Sequence, residues 1–337
     1  MDALSDVLRV IHLTGAVFLR AEFTAPWSVL AGSGSGDCAA YMPDAKHLVY
    51  YHLVTQGGCL ATVPGLAPVR LEAGDLVLFP RGDAHVVASA LGLDAVPIAR
   101  LLKPSAADAV IHRVVHGGGG ETTRVVCGFL ACDTRLFESL LLALPRILKF
   151  HAQKGSASSW VEASLRSTVE ESVTPAAGLA TVVAKLAELL FVEALRRHID
   201  TLPPDEKGWL SGFRDPYVGR ALTLMHTRPA HPWTVVELGR EVALSRSALA
   251  ARFAHALGQS PMNYLSTWRM YLAAHLLGTS DQTIAAITEQ IGYDSEPSFY
   301  RAFKRAFGVP PASFRHERPR AVSSPLARLA ETNEMAA

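Results

Sequence analysis

His52, His85 and Cys127 are the side chains here best suited to binding chemistry. Each stands in a different apolar run. Imidazole and thiolate are ligands for zinc or another divalent metal, so these three form a candidate metal or effector site. The plain alternative makes His85 a turn-associated residue and Cys127 a small core hydrophobe. Cys127 and Cys132 form a second candidate, a thiol redox pair, provided that a lowered pKa makes them reactive. Their odd spacing would place them on opposite faces of one strand, so pairing would need a bend. Cys38 and Cys59 have no evident partner. The two-histidine-one-carboxylate set of non-haem iron is missing: near His52 there is only His47, with no H-x-H pair and no following Glu. No cofactor is implied with certainty, and no Ser/His/Asp arrangement, P-loop or dinucleotide fingerprint is present.

The elements around these residues follow from composition. The chain has 337 residues, 49% hydrophobic and 19% charged, enough for about two domains with a sizeable core. Four cysteines are too few for a disulfide-built fold. No apolar run is long enough for a membrane span, and the first residues lack a basic n-region, so a cytoplasmic protein with no membrane partner is expected. Net charge is +1 but uneven. Residues 1–204 carry 17 Lys and Arg against 19 Asp and Glu, residues 205–320 carry 14 against 10, and residues 321–337 carry 1 against 2.

The first third reads as strands: Leu48–Thr55, Val69–Leu71, Leu76–Phe79, His85–Ala88 and Thr123–Ala131, separated by Gly, Pro and Asp turns. Gly117 to Gly120 read as a hairpin tip. Helices are expected over Leu136–Leu148, Trp160–Val169 and Leu179–His198. The last has an apolar face of Val182, Leu186, Leu189, Leu190 and Val192, suited to a dimer seam or to covering the sheet domain. Thr201 to Lys207 is the most linker-like stretch.

The C-terminal block repeats itself at an offset of 50 residues. Ser245, Leu249, Phe253, Leu257, Gly258, Pro261 and Tyr264 fall on Ser295, Phe299, Phe303, Phe307, Gly308, Pro311 and Phe314. Such a period marks one supersecondary unit used twice. Thr234 and Glu237 have the capping-box form, ahead of a helix with Val235, Leu238 and Val242 inward. Ser245 caps a second helix after a short turn, which makes a helix-turn-helix. In the second copy Ser280 or Asp281 caps the first helix, Gly292 supplies the turn and Ser295 caps the second helix. Pro261–Leu277 reads as a connecting helix of roughly 25 Å, burying Tyr264, Leu265, Trp268, Leu272 and Leu276. That length can hold two readers near one DNA turn, about 34 Å, apart.

Residues 229–315 resemble the DNA-binding domain of the AraC/XylS regulators. The resemblance is carried by Trp233-Thr234, Leu244 to Ser247, Arg252-Phe253, Gly258 to Pro261, Ile291 to Ser295 and, most specifically, Phe299 to Gly308. It implies base-facing Ser247, Ala250 and Ala251 in the first copy, and Glu296, Pro297 and Arg301 in the second. The alanines offer only apolar contact, for instance to thymine methyls, while Arg301 could pair with guanine, bind phosphate or form a local salt bridge. Arg246, Lys304 and Arg305 suit phosphate. Gly74 to His85 fits G-x5-P-x-G-x2-H, which resembles the second cupin motif. In a cupin barrel His52, His85 and Cys127 would lie on three neighbouring strands. The resemblance implies an α+β protein, with a cupin-like β-barrel bearing a helical appendage and an all-α domain of two helix-turn-helix units joined by a linker helix. The expected boundaries are 1–135 for the sensor barrel, 136–200 for a helical dimerisation or linker region, and 201–228 for a linker with the first helix of the DNA-binding block. The double helix-turn-helix follows at 229–316, with a flexible tail at 317–337. A homodimer is implied that binds double-stranded DNA under the control of a small molecule, metal or oxidant. RNA polymerase would be a further partner if the regulator is an activator. The alternative is a cupin-type metal-dependent enzyme with a helical accessory domain.

Overall fold

Two residue periods, one of two and one near 3.6, divide this chain into different architectures. The computed structural model describes residues 3–10, 13–32, 47–102, 111–132, 141, 143–151, 160, 163, 164, 167, 178–203 and 210–316. Cys38, residues 204–207 of the expected linker, most of the expected helices at 136–148 and 160–169, and the tail at 317–337 lie outside the described residues. The chain forms two compact units. One comprises residues 13–134 and 144–197, the other residues 1–12, 135–143 and 198–337.

The elements before the long middle helix are, in order, α1 (Ala3–Val10), β1 (Leu13–Thr24), β2 (Ser28–Ala31), β3 (His47–Gln56), β4 (Gly58–Thr62), β5 (Val69–Glu72), β6 (Asp75–Phe79), β7 (His85–Ala88), β8 (Val96–Pro97), α2 (Ile98–Leu101), β9 (Ile111–Gly117), β10 (Thr122–Cys132) and β11 (Leu148–His151). Leu148 thus opens a strand and does not end a helix; Leu141 and Ala143 are helical.

The strands pair into two sheets, β11-β6-β3-β10-β1-β9 and β5-β4-β7-β2-β8, sharing one core. The expected barrel is therefore a cupin-like pair of open sheets, not a closed cylinder. Alternation assigns the faces. Leu19, Ala21 and Phe23 of β1 are buried, while Glu22 between them pairs outside with Arg124 at 3.3 Å. Val49 to Val54 of β3 are buried without alternation, as in a strand covered on both faces.

Gly117 to Gly120 do not form a hairpin tip. β1 lies between β9 and β10, parallel to the first and antiparallel to the second, so the glycine run must cross the end of β1. It lies on that end through Gly118 N to Thr24 O at 2.8 Å and Gly120 N to Ala25 O at 2.8 Å. A Cβ on Gly118 would fall 2.5 Å from the Pro26 ring. Close backbone approach excludes side chains at Gly117, Gly118 and Gly120, whereas Gly119 has open space around it and a φ of 91°.

The next helix, α3 (Leu179–Thr201), is longer than expected. Its buried stripe is Val183, Leu186, Ala187, Leu190, Phe191 and Ala194, whereas Val182 and Leu189 of the expected face are exposed. Near its end Arg197 lies 5.8 Å over the Phe150 ring and donates to His151 O at 3.0 Å.

The helical unit continues with α4 (Pro216–Thr227), α5 (Val235–Glu241), α6 (Arg246–Leu257), α7 (Pro261–Thr279), α8 (Ile284–Gln290), α9 (Glu296–Phe307) and α10 (Pro311–His316). α1 also belongs here, packing on α4 and α7 with Ala3 and Val7 buried. The second helix-turn-helix is built on Phe299 and Phe303, both 0% exposed, with ring centroids 5.5 Å apart. Truncating either to Ala would destabilise by about 3–5 kcal/mol. Leu272 and Leu276, expected to be buried, are only partly so, because Met270, Ala273, Ala274 and Leu277 take the inner positions of α7.

Candidate functional site

The two helical pairs, α5–α6 and α8–α9, are built alike. Thr234 Oγ1 accepts from Glu237 N at 3.1 Å, and Thr283 Oγ1 from Ala286 N at 3.1 Å. The expected caps Ser280 and Asp281 are displaced by Thr283, the residue next to the first helical position. Glu237 does not close a capping box, since its carboxylate meets His231 Nε2 at 2.8 Å. In the turns, Leu244 N donates to Gly239 O and Tyr293 N to Thr288 O. Up to this point the offset is 49; one additional residue before α9 makes it 50. That insertion changes the second cap. Ser245 Oγ accepts from Ala248 N at 3.1 Å, but Ser295 has no side-chain cap bond.

Each second helix buries one face and opens the other. Leu249, Phe253 and Ala256 are inward in α6, and Phe299, Ala302 and Phe303 in α9. On the outer faces Arg246, Ser247, Ala251, Glu296, Pro297, Arg301, Lys304 and Arg305 are exposed, and Ala250 is half-buried. Arg301, Lys304, Arg305 and Arg246 form no ion pair among the described residues, so the local salt bridge considered for Arg301 is not formed. The open face of α6 is mostly small and apolar, and that of α9 basic.

Three positioning roles are not read from the sequence, although Arg252 stands within the motif. Arg252 Nη1 reaches Asp215 Oδ2 at 2.8 Å, tying α6 to the N-cap of α4. Arg269 donates to Pro229 O and His231 O at 2.8 and 2.9 Å, holding the segment before α5 onto α7. His226 stacks on Trp268 with centroids 3.8 Å apart and meets Tyr264 Oη at 2.9 Å. Burial pushes its imidazole down to about 3, against a smaller opposing effect of the Ala3 backbone. Only their distant partners distinguish these residues.

In the sheet unit, the cupin-like stretch places His85, fully buried, with its ring stacked on Phe79 at 3.7 Å. His52 and His85 face each other with Nε2 atoms 2.7 Å apart. His85 Nδ1 is 2.8 Å from Asp83 O. A carbonyl only accepts, so His85 carries its proton on Nδ1 and its Nε2 accepts from His52 Nε2–H. Burial, then the neighbouring His85, hold His52 well below the usual imidazole range, so it is neutral. Cys127 is the strand partner of His52, and both line a cavity of about 70 Å³. The remaining wall is apolar, with Phe23, Val29, Val87, Ile98 and Phe129 among its residues.

Of the three expected ligands, two meet directly and already spend their facing nitrogens on each other. Among the described residues no three His, Cys, Asp or Glu side chains gather where an ion could sit. The donor set does not fit a metal. The redox reading also fails on geometry. From Val125 to Cys132 β10 pairs with β3 without a break. Cys127 and Cys132 are therefore separated by roughly 17 Å at about 3.4 Å per residue, against a disulfide limit of about 7 Å between Cα atoms. Burial pushes the Cys127 thiol up, with Cys59 adding to it, and Cys59 itself is pushed up to about 12.

Comparison with known proteins joins the halves. A cupin family model matches residues 2–200, and a helix-turn-helix domain model matches residues 238–317. Over 94% of its length the chain is 32% identical to a protein of Streptomyces antibioticus described as an AraC-like transcription regulator, covering 98% of that protein. A Streptomyces lividans protein with the same description is 34% identical, with 94% of this chain and 98% of the relative covered. The HTH-type transcriptional regulator AlkR of Acinetobacter baylyi is 29% identical, with 94% and 100% covered. No helix among the described residues is long and apolar enough to cross a membrane. With a cupin-like unit and a duplicated helix-turn-helix in one chain, the protein belongs to the AraC-like transcription regulators and is a DNA-binding regulator, not an enzyme.

Proposed function

We propose that the protein is a cytoplasmic, homodimeric one-component regulator whose two helix-turn-helix units read neighbouring major grooves of one operator. The observation that carries this reading is the pair of exposed second helices, α6 and α9, flanking the single helix α7. At 19 residues α7 is about 28 Å long, which suits readers near one turn of DNA apart. Arg301 is the guanine reader of the second unit. Ser247, Ala250 and Ala251 form the first unit's contact face, where the alanines meet thymine methyls. Glu296 and Pro297 complete the second face, and Ser245 and Ser295 start the two helices. Arg246, Lys304 and Arg305 hold phosphates. A small molecule in the sheet-unit cavity sets operator occupancy by binding one arrangement of the protein better than another. RNA polymerase is the partner that DNA-bound protein then engages.

Footprinting on genomic fragments, with affinity measured across salt, tests this. We expect protection of two adjacent half-sites. Three phosphate contacts on each of two protomers predict a slope of about −5 in the logarithm of affinity against the logarithm of salt, at about −0.9 per contact. Binding without fragment preference or salt dependence would overturn the proposal.

A further inference from the structure

The two helix-turn-helix units are joined twice. The first joint is α7, whose two ends are built into different cores. Tyr264 meets Phe253 of the first unit edge-on, with ring centroids 5.9 Å apart. Met270, Ala273, Ala274 and Leu277 pack with Ile287, Ile291, Phe299 and Phe303 of the second. The second joint is the backbone of residues 229–231, ahead of α5. This segment is folded on itself, since Trp233 Nε1 donates to Arg228 O at 3.2 Å, and His231 ties it to α5 through Glu237. Its Ala230 lies directly against the turn of the second unit, where Gly292 has no side chain to keep it away.

Arg269, half-buried at the middle of α7, holds this second joint shut. It donates to Pro229 O and His231 O, the carbonyls on either side of Ala230. Tyr293 and Asp294, from the turn of the second unit, act on its charge. A single helix sets a distance but can bend along its length. Attachment at a second, separate point fixes the angle between the units as well.

We infer that Arg269 and the 229–231 backbone lock the two units into one reader of fixed span, so that the protein selects operators by the separation of their two subsites as well as by their bases. The inference rests on the reading of α6 and α9 as occupants of neighbouring grooves. A DNA turn of about 34–36 Å holds about 10–10.5 base pairs. One inserted pair therefore moves a subsite by about 3.4 Å along the duplex and by about 35° around it. A locked reader cannot follow both displacements, and one unit loses its base contacts.

The test compares affinity of the full-length chain for the footprinted operator and for the same duplex with one base pair inserted between the two subsites of one protomer. The insertion should weaken binding about tenfold, as for one lost bidentate base contact. Arg269→Met keeps the stem but removes both donors, and should bring the ratio of the two affinities toward one; Arg269→Lys should fall between. Gly292→Ala wedges the same contact open from the other side and should also lower the ratio, which keeps the test if Arg269→Met does not fold. An arginine with a merely structural role would weaken both duplexes alike, so an unchanged ratio in either folded variant overturns the inference. Equal binding of both duplexes by the unaltered protein also overturns it and leaves the reading of two grooves standing. A footprint without paired subsites overturns both.

Discussion

Gly292 and Ala243 occupy the same place in the two turns, and exchanging their side chains should have opposite effects. Gly292 has φ of 79° and Ala243 has φ of 58°, the one non-glycine with positive φ among the described residues. A Cβ on Gly292 would lie 2.6 Å from both the Cα and the carbonyl oxygen of Ala230. In Gly292→Ala the left-handed backbone costs roughly 1–2 kcal/mol, and forcing backbone apart at Ala230 adds about 1–3 kcal/mol. Loss of unfolded-state freedom returns about 0.4–1 kcal/mol. The net expectation is a loss of about 1–5 kcal/mol. Ala243→Gly should relieve the first effect and forfeit the last, leaving it between neutral and about 1.5 kcal/mol more stable. Denaturant titration followed by far-ultraviolet circular dichroism measures both, and operator titration beside it should show weakened binding only for Gly292→Ala, because the turn aims α9. A Gly292→Ala protein within about 0.5 kcal/mol of the parent, or Ala243→Gly less stable than Gly292→Ala, would refute the reasoning.

Arg301→Ala should cost about 1–3 kcal/mol of operator affinity per protomer and relax preference at one base pair of each protomer's site, whereas Lys304→Ala should weaken all sequences alike and lower the salt slope by about two, one for each protomer; competition binding separates them. His226, held neutral at about 3, takes up its proton more readily unfolded, near the ordinary value of about 6.5. The helical unit should therefore lose stability as pH falls below about 6.5, with a slope approaching 1.4 kcal/mol per pH unit until about 3; a flatter profile is expected in His226→Phe. Prolonged dialysis against a chelator should leave melting temperature and operator affinity unchanged, checked by calorimetry and titration. Native Cys127 should resist iodoacetamide at neutral pH, because burial keeps it a thiol, and should react fully once denatured, as read by mass spectrometry.

Local chemistry made the C-terminal half legible in the sequence. Capping residues, a turn glycine and aromatic residues four apart each report a contact made nearby, and Thr234, Gly292, Phe299 and Phe303 lie where those rules place them. The one-residue insertion was hidden because the stronger 50-residue offset masks the 49-residue one; the expected caps Ser280 and Asp281 follow from neither offset, since 49 carries Thr234 onto Thr283, the cap the helix uses. On α3 the signal was ambiguous. Val182-Val183 and Leu189-Leu190-Phe191 put apolar groups nearly all round, so periodicity alone does not select the buried stripe. The cavity was half visible. The G-x5-P-x-G-x2-H stretch announces His85, but only the strand register brings His52 to it and separates Cys127 from Cys132. Nothing local to Gly117 to Gly120 reveals that β1 lies between the strands they connect.

Because α1 packs on α4 and α7, it leaves the ribosome long before its partners are made. Val7, 6% exposed when folded, must wait from the synthesis of Val10 until Pro216 and beyond have emerged. At about 5–20 residues per second that interval is roughly 10 to 40 seconds. During it the sheet unit can assemble alone while an amphipathic segment trails uncovered. Truncating the gene to liberate the C-terminal reader would remove a piece of that reader's own interior, and a fusion partner on the amino end would have to leave room for a late docking event.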